Sequence, residues 1–247
     1  MMRLRKAVVA ASLGVLLAAE GAAAQAAAQP SAPGAAGQQA PVRIRIVGAS
    51  QDELTGQWDP ARQRMIFMPP KGRVVVEWSG WRAEGARLEW DPEGRVAVMT
   101  GSVRVYRPDV DAQAERLDAW YQQDRARLSG SARVDEWALT KGEQRGAHLR
   151  TLTAETIEMD EAKRLLVARG TVQVRQDDPR LEASGDDLVY DRNAEKVVLT
   201  SANQGVHALF DRFELSRASR VEYDVKTEQL RFFGPADIQQ LPSRSGD

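Results

Sequence analysis

The sequence predicts an all-β protein built from stacked antiparallel hairpins, because one spaced repeat recurs and its halves alternate between apolar and polar residues. A small residue is followed by Gly or Ser sixteen positions later, without a gap, five times in the chain. Recurrence at about 20–50 residues indicates a repeat architecture, whose units bury their apolar faces by stacking. The five pairs are Gly85…Gly101, Ala114…Gly130, Ala154…Gly170, Gly185…Ser201 and Ala218…Gly234.

The second half of each unit is predicted to be a strand, because its apolar residues occupy alternate positions. In the third unit they are Leu166, Ala168, Val172 and Val174, around Gly170. Successive side chains of a strand point to opposite faces, so one face of the unit is apolar. We expect the Gly to mark a bulge or a sharp bend, where the missing Cβ lets the strand fold over.

The first half of each unit is predicted to be a second strand that ends in a turn. Ile157 and Met159 lie two positions apart and are followed by Asp160. Asp at the first position of a type I turn accepts a backbone hydrogen bond, which explains why it recurs. The same turn is expected at Asp91–Gly94, Asp191–Ala194 and Asp224–Thr227.

The second unit is irregular. It has Trp120 where the others have Asp, and a longer connection, 136–150, follows it. We interpret that connection as a plain loop, with a bend in the stack or a lid as the alternatives.

The N-terminus has the pattern of a secretory signal. Arg3, Arg5 and Lys6 precede the apolar run 7–19, and Ala22-Ala23-Ala24 offers a cleavage site. This pattern is typical of a cleaved signal peptide, here 1–24, and an uncleaved membrane anchor is the alternative.

Three further segments follow the signal. Residues 25–41 are mostly Ala, Gln, Pro and Gly, which predicts a flexible tether. The repeat domain is predicted over 42–238, beginning with a strand at 42–47 and a degenerate first copy of the unit. Residues 239–247 form a polar tail.

The composition excludes several classes of function. The formal net charge is −1, with Lys and Arg scattered, so no nucleic-acid footprint is present. The chain has no cysteine and two histidines, so neither a metal site nor a cofactor is predicted. The acid pairs Asp177-Asp178 and Asp186-Asp187 are interpreted as solvated turn carboxylates, and no enzyme is predicted.

The apolar positions of the repeats all fall on the inner face of the predicted hairpins. If the hairpins fold over at the glycines, this face lines an apolar trough; if the two layers close fully, it forms a packed core. Both outcomes are open from the sequence. The inward positions are Leu88, Trp90, Met99, Val103, Val105, Leu117, Leu128, Val134, Ile157, Met159, Leu166, Val172, Val174, Leu188, Tyr190, Leu199, Val221, Tyr223, Leu230 and Phe232.

The repeats resemble those of the OstA-like (LptA-like) family of lipopolysaccharide-transport proteins. The resemblance rests on Ala-x-x-h-x-h-Asp units such as Ala154–Asp160 and Ala218–Asp224, where h is apolar, and on Gly-x-Val-x-Val units such as Gly101–Val105 and Gly170–Val174. It covers roughly 42–238. It implies a V-shaped antiparallel β-jellyroll, or β-taco, that is open at its ends and lies in the periplasm.

The resemblance also implies a function without catalysis. The inward residues would shield acyl chains of lipopolysaccharide or another envelope lipid between the two membranes. Exposed end strands, with 42–47 and 229–238 as candidates, would pair with further copies or with LptC-like and LptD-like domains. The alternatives are a ligand-free structural β-solenoid of the envelope and a membrane-anchored LptC-like partner.

Overall fold

The computed structural model describes residues 43–47, 56–78, 80–91, 93, 95–140, 144–177, 180–210, 213–224, 226–227 and 229–241. The predicted signal peptide, the tether and most of the polar tail lie outside these residues. The described residues form antiparallel strands, as the alternation predicts, and no helix among them is long and apolar enough to cross a membrane. The strands are β1 Arg43–Val47, β2 Gly56–Asp59, β3 Arg64–Phe67, β4 Arg73–Trp78, β5 Trp81–Gly85, β6 Arg87–Asp91, β7 Val96–Arg107, β8 Val110–Trp120, β9 Arg125–Leu139, β10 Arg145–Asp160, β11 Leu165–Gln176, β12 Leu181–Asp191, β13 Lys196–Thr200, β14 Val206–Phe210, β15 Phe213–Ala218, β16 Arg220–Asp224, β17 Gln229–Phe233 and β18 Asp237–Gln240.

The strands form two layers, which we call wing 1 and wing 2. The long strands β7 to β12 belong to both, because the pairing between them shifts near the middle of each strand. At the two ends of this set, the halves of β7 pair with β6 and β5, and the halves of β12 pair with β14 and β13. Wing 1 contains β1, β4, β5, β14, β15, β18, the second halves of β7, β9 and β11, and the first halves of β8, β10 and β12. Wing 2 contains β2, β3, β6, β13, β16, β17 and the remaining halves.

The bends lie in register along one line, the spine, where the wings meet. Between β7 and β8 the pairing shifts from Thr100 to Val103, and between β11 and β12 from Arg169 to Val172. At the second of these shifts Gly170 has a φ of 76°, in the left-handed region that glycine adopts at little steric cost. The glycine of the repeat is therefore the predicted bend.

The small residue that opens each unit lies on the inner side of the spine, where the wings approach most closely. A Cβ on Gly185 would lie 2.8 Å from the carbonyl oxygen of Thr200 and 2.9 Å from Leu199 Cδ1. Ala154 and Ala218 hold the equivalent position in their units and are buried. In each unit, the small residue on the inner side of the spine and the residue at the bend are therefore sixteen positions apart.

The outer edge of wing 2 consists of the predicted Asp-led turns. Asp160 Oδ1 accepts a hydrogen bond of 2.9 Å from the backbone N–H of Lys163, and the bonds from Lys163 lower the pKa of Asp160. Trp120 begins the same kind of turn without an Asp, because its carbonyl accepts from Gln123 N at 2.9 Å. Side-chain capping of the turn also occurs at Asp59, Asp191 and Asp224.

Two predicted boundaries are wrong. The interpretation of 136–150 as a plain loop fails because β9 continues to Leu139 and β10 begins at Arg145, so the insertion lengthens a hairpin. Cross-strand contacts stabilise it, including Trp137 against His148 with ring centroids 5.5 Å apart. The single strand predicted over 229–238 is split, because Gly234, with a φ of 87°, carries the chain from wing 2 to wing 1.

Candidate functional site: the apolar interior between the wings

The predicted inward residues lie on the faces of the two wings that oppose each other. Leu88, Met99, Val103 and Val172 are at most 1% exposed. Fifteen of the twenty predicted residues are buried, and Trp90, Val134, Met159 and Leu230 are half-buried. The exception is Phe232, 42% exposed, because among the described residues no strand of wing 2 follows β17 to cover it.

The interior is largely filled by its own side chains. In the C-terminal half, between the wings, a cavity of about 40 Å³ remains. By the same measure one water molecule needs about 10–15 Å³, so the cavity has room for a few water-sized groups, and a whole acyl chain would need the wings to move apart. The cavity is lined by Val174, Leu181, Ala183, Ala208 and Phe210 from wing 1 and by Leu188, Val197, Leu199, Val221, Tyr223 and Leu230 from wing 2.

Some lining residues were missed from the sequence, although the same signal could have found them. Ala208 and Phe210 alternate along β14, as Val197 and Leu199 do along β13. Strand β14 lies beyond the closing residue of the fourth unit, Ser201, where no Gly-x-Val-x-Val pattern marks it. Reading the alternation back from the predicted Leu199 would have added Val197, and reading it onward from Ser201 would have placed β14.

An ion pair interrupts the apolar inner face near the outer edge of wing 1. Arg150 shares its side of β10 with Leu152 and Ala154, and its guanidinium is 2% exposed. Its Nε donates to Glu136 Oε2 at 2.8 Å. Arg150 also lies within electrostatic range of Tyr190 of wing 2. We call this edge of the interior, opposite the spine, the mouth.

Burial dominates the electrostatics of this pair. Loss of hydration raises the pKa of the Glu136 carboxyl, and the attraction of Arg150 offsets only part of that change. The pKa of Arg150 is lowered for the same reason. Sequence reasoning missed both residues, because it placed them in a loop.

The described residues also show whether metal ligands cluster and where one of the acid pairs that the sequence singled out lies. No group of three or more His, Asp or Glu among them could hold a metal ion. Asp186 and Asp187 lie on β12 and not in a turn, which corrects that part of the interpretation. Asp186 Oδ2 accepts hydrogen bonds from Ser201 Oγ at 3.0 Å and from Ala202 N at 2.7 Å. These bonds tie β12 to the residues that follow β13 at the spine.

The fold and its interior define a class of protein: a two-winged antiparallel β-structure with opposed apolar faces. Residues 151–245 match the family model of the "LptA/(LptD N-terminal domain) LPS transport protein". This part of the chain is therefore similar to the LptA-like family, as the repeats in Ala154–Asp160 and Ala218–Asp224 predicted. The comparison with curated proteins gave no match.

A solved structure is also similar to this chain. It is LptH from Pseudomonas aeruginosa, described as the LptA homologous periplasmic component of the conserved lipopolysaccharide transport device. The sequences are 14% identical, and the alignment covers 66% of this chain and 95% of LptH, with a TM-score of 0.30.

We predict that removing one partner of the Arg150–Glu136 pair lowers the free energy of unfolding more than removing both partners. Arg150→Met leaves the Glu136 carboxylate buried beside an apolar group, and urea unfolding should show a loss of about 3–5 kcal/mol at neutral pH. The variant Arg150→Met/Glu136→Leu, which removes both charges, should recover most of that loss.

The loss should also depend on pH, with a defined sign. In Arg150→Met the folded-state pKa of Glu136 lies even further above its unfolded value. The carboxyl is then neutral in both states below the unfolded pKa, so the destabilisation is smallest there and grows as the pH rises through the folded pKa. A loss that is the same at pH 4 and pH 8 would contradict this explanation.

Proposed function

We propose that this protein is a non-enzymatic lipid-transport protein of the periplasm, whose wings shield the acyl chains of lipopolysaccharide or another envelope lipid between the inner and outer membranes. The observation that carries the proposal is the apolar inner face, which continues across both wings from Val74 to Tyr223. The family match over 151–245 and the secretory pattern at 1–24 support it. On this proposal, 42–238 is the transport domain.

The filled interior suggests how the lipid could be held and still move. Each methylene transferred from water is worth about 0.8 kcal/mol, so a chain of about twelve carbons gains on the order of 10 kcal/mol. Separating the wings costs the contacts that they make with each other. The acyl chain replaces those contacts, so the net affinity is the difference between the two. Apolar contacts have no directional geometry, so the chain can slide along the inner face.

We expect lipid contact at inward positions and not at their outward neighbours. Leu188 is buried and lines the cavity, whereas Val189, the next residue, is 36% exposed on the outer face. A photo-reactive amino acid at 188 should cross-link to lipopolysaccharide in cells that make it, and the same group at 189 should not. Mass spectrometry of the purified adducts provides the measurement.

The two positions form a matched pair, because they share a strand and a depth along the stack. Equal labelling at 188 and 189 would contradict the proposal. Absence of labelling at both would favour the ligand-free structural β-solenoid, for which the filled interior is the supporting observation. If N-terminal sequencing finds 1–24 retained, the membrane-anchored LptC-like partner is favoured instead.

We further propose that the ends of the stack bind other domains of the same fold by strand pairing. Within the described residues, β18 pairs only with β15, β17 only with β16, β1 only with β4 and β2 only with β3. Unpaired strand edges attract further strands. Large apolar side chains are exposed at both ends: Val47, Trp58 and Met68 at one, and Phe213, Phe232, Phe233 and Ile238 at the other.

Charges at one end should block this association. We expect Phe233→Lys/Ile238→Lys to reduce end-to-end oligomers in sedimentation velocity, because the buried interface would hold two unpaired ammonium groups. Val189→Lys, on the outer face away from both ends, is the control and should assemble like the parent chain. Unchanged assembly of the double variant would contradict docking at this end.

A further inference from the structure

A groove of about 460 Å³ lies at the outer edge of wing 1, outside the apolar interior. Arginine side chains dominate its lining. They come from three strands, and Arg82 and Arg145 are 63 positions apart in the sequence. Concave surfaces that gather one sign of charge focus the electrostatic potential on a small volume. The lining residues are Gly80, Arg82, Arg104, Tyr106, Arg107, Pro108 and Arg145.

The outer-face wall of the groove is formed where β5 pairs with β7. Arg82 is paired with Tyr106, and both alternate with the buried residues Ala83 and Val105, so they face outward. The guanidinium of Arg82 lies 5.6 Å from the centre of the Tyr106 ring, and that of Arg104 lies 5.0 Å from it. The Tyr106 ring therefore lies within cation–π distance of two arginines.

The third arginine, Arg145, is fixed by the end of wing 1. Its Nε donates to the carbonyl oxygen of Pro108 at 3.0 Å, and its guanidinium lies 4.2 Å from the centre of the Trp137 ring. Its Nη1 is 3.5 Å from Asp111 Oδ2, and Arg104 Nε donates to Asp111 Oδ1 at 2.8 Å. A preorganised arginine loses less freedom on binding than a mobile one.

The fourth arginine joins the groove to the mouth of the interior. Arg107 lies 4.5 Å from the centre of the Trp81 ring, and Trp81 packs against the core. Arg107 Nε is 2.7 Å from Asp109 Oδ1. The groove thus begins on the outer face and ends beside the mouth.

The charge around the groove is not balanced. The four arginines are accompanied by three acids: Glu84, Asp109 and Asp111. Elsewhere on the outer face, an arginine typically pairs with an acid two positions along its own strand, as Arg116 does with Asp118 and Arg175 with Asp177. Arg82–Glu84 and Arg107–Asp109 in the groove are pairs of this kind too. The groove differs because Arg104 and Arg145 share one acid, Asp111, which leaves an excess of positive charge.

We propose that this groove binds a phosphate group. Guanidinium groups match the geometry of phosphate oxygens and keep their charge at every physiological pH. A guanidinium has five N–H groups. Arg104 uses Nε and Nη2 on Asp111, so its Nη1 is left for a ligand, whereas Arg145 already donates to Pro108, Asp111, Arg107 and Val110 and contributes mainly its charge. The phosphate belongs either to a lipid headgroup, which the mouth would bring to Arg107, or to a soluble ligand. The inference concerns the outer edge of wing 1 and stands whether or not lipid enters the interior.

The test measures binding of inorganic pyrophosphate by isothermal titration calorimetry at low salt. We expect saturable binding that weakens as salt is added. Arg82→Gln/Arg104→Gln should weaken it at least about tenfold, since it removes two charge-assisted partners. Arg82→Gln alone should weaken it while keeping the fold, because Glu84 retains its 2.7 Å hydrogen bond from Tyr106.

The control is Arg175→Gln/Arg180→Gln, which removes the same charge from the outer face of the same wing. It should bind pyrophosphate like the parent chain. Equal weakening in both double variants, or no saturable binding by the parent chain to pyrophosphate and to vesicles, would overturn the proposal.

Sedimentation with phosphatidylcholine vesicles that contain or lack phosphatidic acid distinguishes the two sources of the phosphate. Binding to the phosphatidic acid vesicles that is lost in Arg82→Gln/Arg104→Gln supports a lipid headgroup. Pyrophosphate binding without vesicle binding supports a soluble phosphate ligand.

Discussion

The bend along the spine is the feature on which the rest of the structure depends. Each strand has one apolar face, and a single sheet would leave that face in water. Folding every long strand at the same level brings the two apolar halves together. At Gly170 this requires a positive φ, and at Gly185 it leaves no space for a Cβ beside Thr200. The spacing of sixteen residues follows from this geometry, because it joins the inner and outer sides of the spine.

The same geometry explains why an interior that forms a core also suits the proposed binding of acyl chains. The long strands join the wings at the spine, whereas no strand pairing among the described residues joins their outer edges. Across that edge Arg150 lies within electrostatic range of Tyr190, beside its ion pair with Glu136. An ion pair at this place has lost hydration that opening would return. Opening at the mouth is therefore opposed mainly by apolar contacts, which an acyl chain can replace.

Much of the fold could be predicted from the sequence because its signals are local. The alternation around Gly170, the turn at Asp160 and the small residue at Ala154 each follow from the steric demands of a few neighbouring residues. All three are found in the structure. The family resemblance is confirmed over 151–245.

The remaining features of the fold and the site depend on where each strand ends and on which residues it contacts. Alternation alone predicts neither. The hairpin of β9 and β10 continues through 136–150 because Trp137 and His148 pair across it, and no repeat marks that contact. Arg150 was missed because 136–150 was interpreted as a loop, whereas on β10 it shares the inner face with Leu152. The degree to which the interior fills itself depends on the separation of the wings, which no sequence pattern measures.

The separation of the wings is the measurement that tests the central claim most directly. The chain has no cysteine, so spin labels at Arg175→Cys on wing 1 and Val189→Cys on wing 2 report one distance by pulsed electron resonance. Both positions face outward, and the ion pair lost at Arg175 is exposed and contributes little. We predict one short distance without lipid and a longer one when lipopolysaccharide is bound. A distance that stays short while the lipid is bound would contradict an interior that opens to hold acyl chains.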